Sequence, residues 1–93
     1  KRPMKTRNRF VDIRNKRGLH ARAAAKLSQV AGRFNAQITV TRGNQAVSGT
    51  SIMGLMMLAA SLGTEIVLAA TGEQREEALD AICDLVEAKF EEE

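Results

Sequence analysis

The sequence has few of the residues that build disulfides, metal sites and base-stacking surfaces. It contains one cysteine, Cys83, so no internal disulfide can form, and we expect a reducing, cytoplasmic setting. One histidine and one cysteine offer no pair with ligand spacing, and we therefore expect no metal and no cofactor. Tryptophan and tyrosine are absent, which argues against binding of single-stranded nucleic acid through stacked bases.

Hydrophobic segments are also short. The longest nearly continuous apolar run, residues 52–60, is far below the roughly 18 residues of a membrane-spanning helix, so we expect no direct insertion into a membrane. A chain of 93 residues suits one small domain. Its content of 44% hydrophobic and 27% charged residues is typical of a folded protein.

Basic and acidic residues occupy different halves of the chain. Residues 1–42 carry 12 bases and one acid, a net +11, whereas residues 43–93 carry 2 bases and 10 acids, a net −8. Such asymmetry keeps a nucleic-acid or acidic partner in consideration. We interpret residues 1–8 as a basic, flexible arm ahead of a single domain over residues 9–93. The acids from Glu73 onward are interpreted as the solvated face of the last helix.

The spacing of apolar residues predicts an alternation of strands and helices. Alternating residues predict strands over residues 10–14, 37–41, 45–48 and 65–71, and residues at helical spacing predict helices over 20–32, 52–59 and 73–90. Gly32 suits a left-handed cap at the end of the first helix, and Thr50 or Ser51 suits the N-cap of the second. The order β-α-β-β-α-β-α predicts an α+β domain whose helices cover one face of a four-stranded sheet.

One segment, GLHARAAA at residues 18–25, carries chemistry. It places His20, the only histidine, at the start of a predicted helix, where the backbone N–H groups of Ala21 and Arg22 favour an anion. The Arg22 side chain can add a charge-assisted contact. Positive surroundings disfavour the imidazolium form, so we expect a neutral, nucleophilic ring, as a phosphoryl carrier requires. A surface or capping histidine is the alternative interpretation.

The second predicted helix, residues 52–59, is apolar on nearly all sides. It has more apolar side chains than one buried face needs. Flexible methionines suit a surface that accepts several partners, so the cluster favours docking, although any single methionine could equally pack in the core.

The segment GLHARAAA and the order of the elements resemble the histidine phosphocarrier family called HPr, of the bacterial phosphoenolpyruvate-dependent phosphotransferase system. The run GTSIMGLM at residues 49–56 resembles the serine-helix segment of the same family. The resemblance spans about residues 9–90 and implies an open-faced β-sandwich, with three helices on one face of a four-stranded antiparallel sheet. One departure is Ala23, which stands where the family motif has proline. Alanine is a good helix former, so this change bears on the transfer rate more than on the fold.

The resemblance implies a carrier that is a protein substrate of other enzymes and is not itself an enzyme. His20 would accept a phosphoryl group on Nδ1 from phosphorylated Enzyme I, assisted by Arg22, and pass it to an Enzyme IIA protein. Ser51 matches a serine that some bacteria phosphorylate with an HPr kinase/phosphorylase. The residues Ile52, Met53 and Met56 match the partner-binding patch of the family. We expect a monomer.

Two questions stay open at this point. Two segments, MMLAASLGTEI at residues 56–66 and ATGEQREEALDAICDLVEAKFEEE at residues 70–93, are similar to the nitrogen-related HPr-like carriers, but the sugar-uptake branch overlaps with them. A non-enzymatic regulatory or nucleic-acid-binding module, built on the basic N-terminal half, is the competing hypothesis. The lack of stacking residues and the acidic last helix argue against nucleic acid.

Overall fold

A computed structural model describes residues 5–92 of the chain. The secondary-structure elements follow the predicted order: β1 (Arg7–Asp12), α1 (Ala21–Ala31), β2 (Gln37–Arg42), β3 (Gln45–Ser48), α2 (Ile52–Met57), β4 (Glu65–Thr71) and α3 (Arg75–Glu87), followed by a short 3₁₀ turn (Lys89–Glu91). Among the described residues, none of the helices has the length and apolar character that crossing a bilayer requires. The first four residues of the predicted arm lie outside the described residues.

The four strands form one sheet in the order β1-β4-β2-β3, and every neighbouring pair is antiparallel. Buried and more exposed residues alternate along β2 and β4, with Ile38, Val40, Ile66 and Leu68 buried. Alternation of this kind places one face of the sheet against a core. The helices cover this face of the sheet, so the predicted open-faced α+β arrangement is confirmed.

The core lies between this face and the helices α1 and α3. Helix α1 contributes small residues and one leucine, and α3 contributes an apolar stripe; the buried members are Ala23, Ala24, Leu27, Ala31, Ala78, Leu79, Ile82 and Val86. The alanines let α1 approach its neighbours closely, because they have no long side chain to accommodate. Cys83 is half-buried at the edge of the same cluster.

Strand β1 begins earlier than the sequence pattern indicated. It starts at Arg7 and not at residue 10, so Arg7 and Asn8 are strand residues paired with Ala70 and Ala69, although the sequence had assigned them to the flexible arm. The physical reason is the length of β4, whose backbone groups near Ala70 need partners along this edge. A charged partner in α3, Glu76, also lies 2.8 Å from Arg7 Nε.

Three helix ends also differ from expectation. Gly32 has φ −76° and is right-handed, because its N–H donates to Ser28 C=O at 3.0 Å and extends the helical turn. Helix α3 begins at Arg75 and not at residue 73. Glu73 is instead held outside the helix, where it accepts a hydrogen bond from Asn35 Nδ2 at 2.7 Å. Helix α2 ends at Met57, two residues before its predicted end.

Candidate functional site

His20 is the N-cap residue of α1. Its backbone is extended, with φ −74° and ψ 179°, and its side chain makes no capping hydrogen bond. Its carbonyl accepts from Ala24 N–H at 2.8 Å, which closes the first turn of the helix. The N–H groups of Ala21 and Arg22 precede this bond and therefore belong to the donors that a helix start leaves for an external acceptor. The site thus has a ring and an amide cluster at one helix end.

The loop before His20 is held against the segment that follows α2. Leu19 N–H donates to Ala60 C=O at 2.9 Å. Gly18 has φ +66°, and a Cβ atom at this position would lie 2.4 Å from the same carbonyl oxygen. Glycine is therefore required here both for its backbone conformation and for the close approach. This contact sets the direction from which the chain enters the site.

The two arginines near His20 are exposed. Arg22 forms no hydrogen bond or ion pair with another residue of the part of the chain that the structure describes. Its guanidinium is consequently available to an incoming anion. Arg17 lies close enough for its positive charge to act on Glu92, the residue that contacts the histidine.

Glu92 is the residue of this candidate site that sequence reasoning missed. Its Oε1 lies 2.7 Å from His20 Nε2, and its Oε2 accepts from Asn15 Nδ2 at 3.3 Å. The sequence had grouped this glutamate with the solvated acids of the last helix, and that interpretation is wrong for Glu92. No local pattern signals the contact, because His20 and Glu92 are separated by 72 positions.

The turn after α3 explains how Glu92 reaches the site. Lys89, Phe90 and Glu91 all have positive φ, at 56°, 54° and 64°. Each left-handed residue that is not glycine costs about 1–2 kcal/mol. Burial of the Phe90 ring offsets part of this cost, and Lys26 Nζ donates to Phe90 C=O at 2.7 Å. Glu92 follows this turn directly and lies beside the start of α1, in contact with His20.

The environment of Glu92 favours its ionised form. The hydrogen bond from His20 lowers the pKa of the carboxyl, and partial burial opposes this effect. The hydrogen bond from Asn15 and the charge of Arg17 lower the pKa further. The site therefore holds a carboxylate against one nitrogen of the imidazole.

Ser51 is the N-cap of α2. Its Oγ accepts from Gly54 N–H at 3.0 Å, so Ser51, and not Thr50, fills the role that the sequence had left open. Ser28 Oγ of α1 donates to Thr50 C=O at 3.1 Å. Ser28 is eight positions along α1 from His20, which corresponds to a rise of about 12 Å along the helix axis. Ser51 follows Thr50, so it lies about that far along α1 from the histidine.

Helix α2 runs antiparallel to α1. Its start is tied to Ser28, and the segment after its end is tied to Leu19 and Gly18. The helix buries Leu55, while Leu58, just after it, is also buried. Four of its residues form an exposed cluster, called here the methionine patch: Ile52 (42% exposed), Met53 (70%), Met56 (40%) and Met57 (67%). The patch contains Ile52, Met53 and Met56, which the family resemblance implies as partner-binding residues, and it adds Met57. It extends toward the end of α1 that carries His20.

Cys83 is not a candidate nucleophile. Burial raises the pKa of its thiol, and the Arg9 guanidinium, with Nη1 at 3.9 Å from Sγ, opposes that effect only in part. A thiol that stays protonated is a poor nucleophile.

Comparison with known proteins gives one consistent result. The family model for the PTS HPr component phosphorylation site matches residues 8–88. The phosphocarrier protein NPr of Shewanella violacea is 50% identical over 84 residues, which covers 90% of this chain and 92% of that protein. The phosphocarrier protein HPr of Pseudomonas aeruginosa is 51% identical over 83 residues, covering 88% and 92%. The crystal structure of HPr-C-His from Thermoanaerobacter tengcongensis superposes with a TM-score of 0.89 at 46% identity, over 94% of this chain and 98% of that one.

Proposed function

The chain belongs to the HPr family and has a phosphocarrier role in the phosphotransferase system, and we propose that His20 is the residue that carries the phosphoryl group. The observation that supports this assignment most directly is the position of His20. An imidazole that is not used as a helix cap stands beside the first N–H groups of α1. This arrangement suits a ring that must accept an anionic group and later release it.

The proposed step transfers a phosphoryl group from the donor protein to the imidazole ring of His20. The lone pair of His20 Nδ1 attacks the phosphorus, and the bond between phosphorus and the donor breaks. The N–H groups of Ala21 and Arg22 then face the phosphoryl oxygens, and the Arg22 guanidinium adds a charge-assisted contact. Transfer to the acceptor reverses these events, so the chain acts as a protein substrate and not as an enzyme.

The proposed partners are phosphorylated Enzyme I as donor and an Enzyme IIA protein as acceptor. The methionine patch supports this part of the proposal, with Ile52, Met53 and Met56 as its docking residues. Its side chains are exposed and it extends toward the histidine. Methionine adapts to surfaces of different shape, which a carrier with a separate donor and acceptor requires.

Ser51 is proposed as a regulatory phosphorylation site for a kinase of the HPr kinase/phosphorylase type. A phosphate on Ser51 would place negative charge next to the docking residue Ile52 without removing an acceptor from the start of α2. The test is a Ser51→Asp variant, for which we expect weaker binding to Enzyme I. Unchanged binding relative to a Ser51→Ala variant would contradict the regulatory role.

The experiment for His20 is incubation of the purified chain with phosphoenolpyruvate and Enzyme I, followed by mass spectrometry. We expect one acid-labile phosphoryl group on the wild type and on Ser51→Ala, and none on His20→Ala. Normal labelling of His20→Ala would overturn the proposal. The Arg22→Gln variant should still be labelled, but more slowly.

The proposal also includes a monomeric carrier in the cytoplasm, which sedimentation and cell fractionation would test.

A further inference from the structure

The two nitrogens of the His20 ring have different surroundings. Nε2 lies 2.7 Å from Oε1 of Glu92, and both side chains are largely buried. An ionised carboxylate has no proton to donate, so this short contact requires a hydrogen on Nε2. In a neutral imidazole the hydrogen then stays on Nε2, and Nδ1 keeps the lone pair. The contact with Glu92 therefore selects the tautomer that the transfer needs.

Glu92 is held in this position from a second side. Asn15 Nδ2 donates to Glu92 Oε2 at 3.3 Å and to Gly18 C=O at 2.8 Å. Both partners are acceptors, so the amide nitrogen of Asn15 must face them, and the orientation of this buried side chain follows from the hydrogen bonds. The carboxylate is consequently fixed between the histidine ring and the loop that leads to it.

The backbone also favours a functional role for this contact. Three successive residues with positive φ bring Glu92 to the ring, and none of them is glycine. Such conformations persist only when the surrounding structure imposes them, and they are frequent at functional sites.

We propose that Glu92 is a positioning residue for phosphoryl transfer at His20: it holds the ring with Nδ1 as the nucleophile and stabilises the ring once Nδ1 is bonded to phosphorus. The inference rests on the proposed function of His20. In the step, the Nδ1 lone pair forms the N–P bond, and the electrons of the broken bond leave with the donor. The hydrogen stays on Nε2, so the phosphorylated ring carries a positive charge. No proton is lost, and the Glu92 carboxylate balances that charge.

The test compares two substitutions at Glu92 with a matched control. Glu92→Gln keeps an acceptor oxygen but removes the charge, and Glu92→Ala removes both. Glu91→Gln is the control, because Glu91 is the preceding residue, is exposed and lies 3.8 Å from Lys26 Nζ, away from the histidine ring. The kinetics of transfer from phosphorylated Enzyme I are measured for each variant, after circular dichroism has shown that it is folded.

We expect Glu92→Gln to lower kcat about tenfold with KM unchanged, by analogy with the carboxylates that orient metal-bound histidines, whose loss costs about 10–100-fold in activity. Glu92→Ala should lower kcat further. ¹⁵N spectra of the ring at a pH where it is neutral should show the Nε2–H tautomer alone in the wild type and in Glu92→Gln, and a mixture in Glu92→Ala. A purely structural role for Glu92 would change the melting temperature without changing kcat or the tautomer.

The outcomes separate this inference from the function on which it rests. If His20→Ala is not labelled while both Glu92 variants transfer as fast as Glu91→Gln, the positioning role is overturned and the carrier function stands. If the Glu92 variants raise KM and leave kcat unchanged, Glu92 belongs to docking and the inference is equally wrong. If His20→Ala is labelled normally, the carrier function itself fails, and the role of Glu92 fails with it.

Discussion

Arg9 Nη2 lies 2.8 Å from Asp80 Oδ1, so a strand of the basic half of the chain is paired with the helix of the acidic half. The same guanidinium nitrogen lies 3.4 Å from Glu76, which also binds Arg7. The charge division of the sequence is therefore partly satisfied inside the fold, between β1 and α3. Two of the basic residues that suggested a nucleic-acid partner already have acidic partners in the protein itself.

The Arg9–Asp80 pair is expected to stabilise the fold weakly and in a salt-dependent way. Both side chains are partly exposed, and pairs of this kind contribute about 0.2–1 kcal/mol. Asp80→Asn should lower the free energy of unfolding by this amount at low ionic strength and by less in 1 M salt, because salt screens exposed charges, with a Debye length of about 3 Å at that concentration. Urea denaturation measures both values. Asp84→Asn, an exposed acid on the same helix with no ion pair among residues 5–92, is the control, and equal effects of the two substitutions would contradict the prediction.

Ser51 is expected to stabilise the start of α2 independently of any regulatory role. Removal of an N-cap hydroxyl costs about 0.5–2 kcal/mol. Ser51→Ala should therefore lower the free energy of unfolding by that amount, while Ser51→Asp should retain most of it, since aspartate is also a good N-cap. Thr50→Ala is the control, because Thr50 Oγ1 is 3.0 Å from Ser48 Oγ and does not cap the helix. A loss in Thr50→Ala as large as that in Ser51→Ala would show that the cap is not the cause.

Gly18 should be the glycine least tolerant of a side chain near the site. Gly18→Ala introduces a Cβ atom 2.4 Å from Ala60 O and 2.9 Å from Ser61 Cα, both backbone atoms, at a φ of +66°. The left-handed conformation and the overpacking together should cost at least about 2 kcal/mol. Gly43→Ala is the matched control, with φ +58° and nothing within 4 Å of the added Cβ. Its expected cost is only the conformational part, about 1–2 kcal/mol, without the overpacking. Equal losses in thermal or chemical denaturation would mean that the contact with Ala60 is unimportant.

Features that repeat along the chain could be predicted from the sequence, whereas the Glu92–His20 contact could not. The alternation around Ile38 and Val40 and the helical spacing around Leu27 predict the elements, because a buried face repeats along the chain. The excess of apolar residues in α2 also predicts an exposed patch, because one buried face cannot hold all of them. The Glu92–His20 contact has no such periodicity. It depends on three successive left-handed residues that are not glycine, and on burial of Phe90, which is set by packing across the whole domain.

The start of β1 was missed for a related reason. Arg7 and Asn8 are polar, so their pattern alone is typical of a solvated terminus. Their place in the sheet follows from backbone pairing with Ala70 and Ala69, which contributes no hydrophobic signal to the sequence. The partner in α3, Glu76, is likewise visible only once β1 and α3 are adjacent.

The stability contributed by Glu92 should depend on pH in the acidic range. Hydrogen bonds from His20 and Asn15 lower the pKa of this carboxyl below its usual value of 4.5, so the folded state holds its proton less tightly than the unfolded state. The resulting stabilisation is fully present above the unfolded pKa and is lost as the pH falls through the lower, folded pKa. We therefore expect Glu92→Gln to melt at a lower temperature than the wild type at pH 6, and the gap to narrow progressively below about pH 4.5. Glu91→Gln should show a smaller gap, since Glu91 is exposed and 3.8 Å from its partner Lys26. A gap for Glu92→Gln that stays constant from pH 6 to about pH 3 would show that the ionised carboxylate does not stabilise the folded chain.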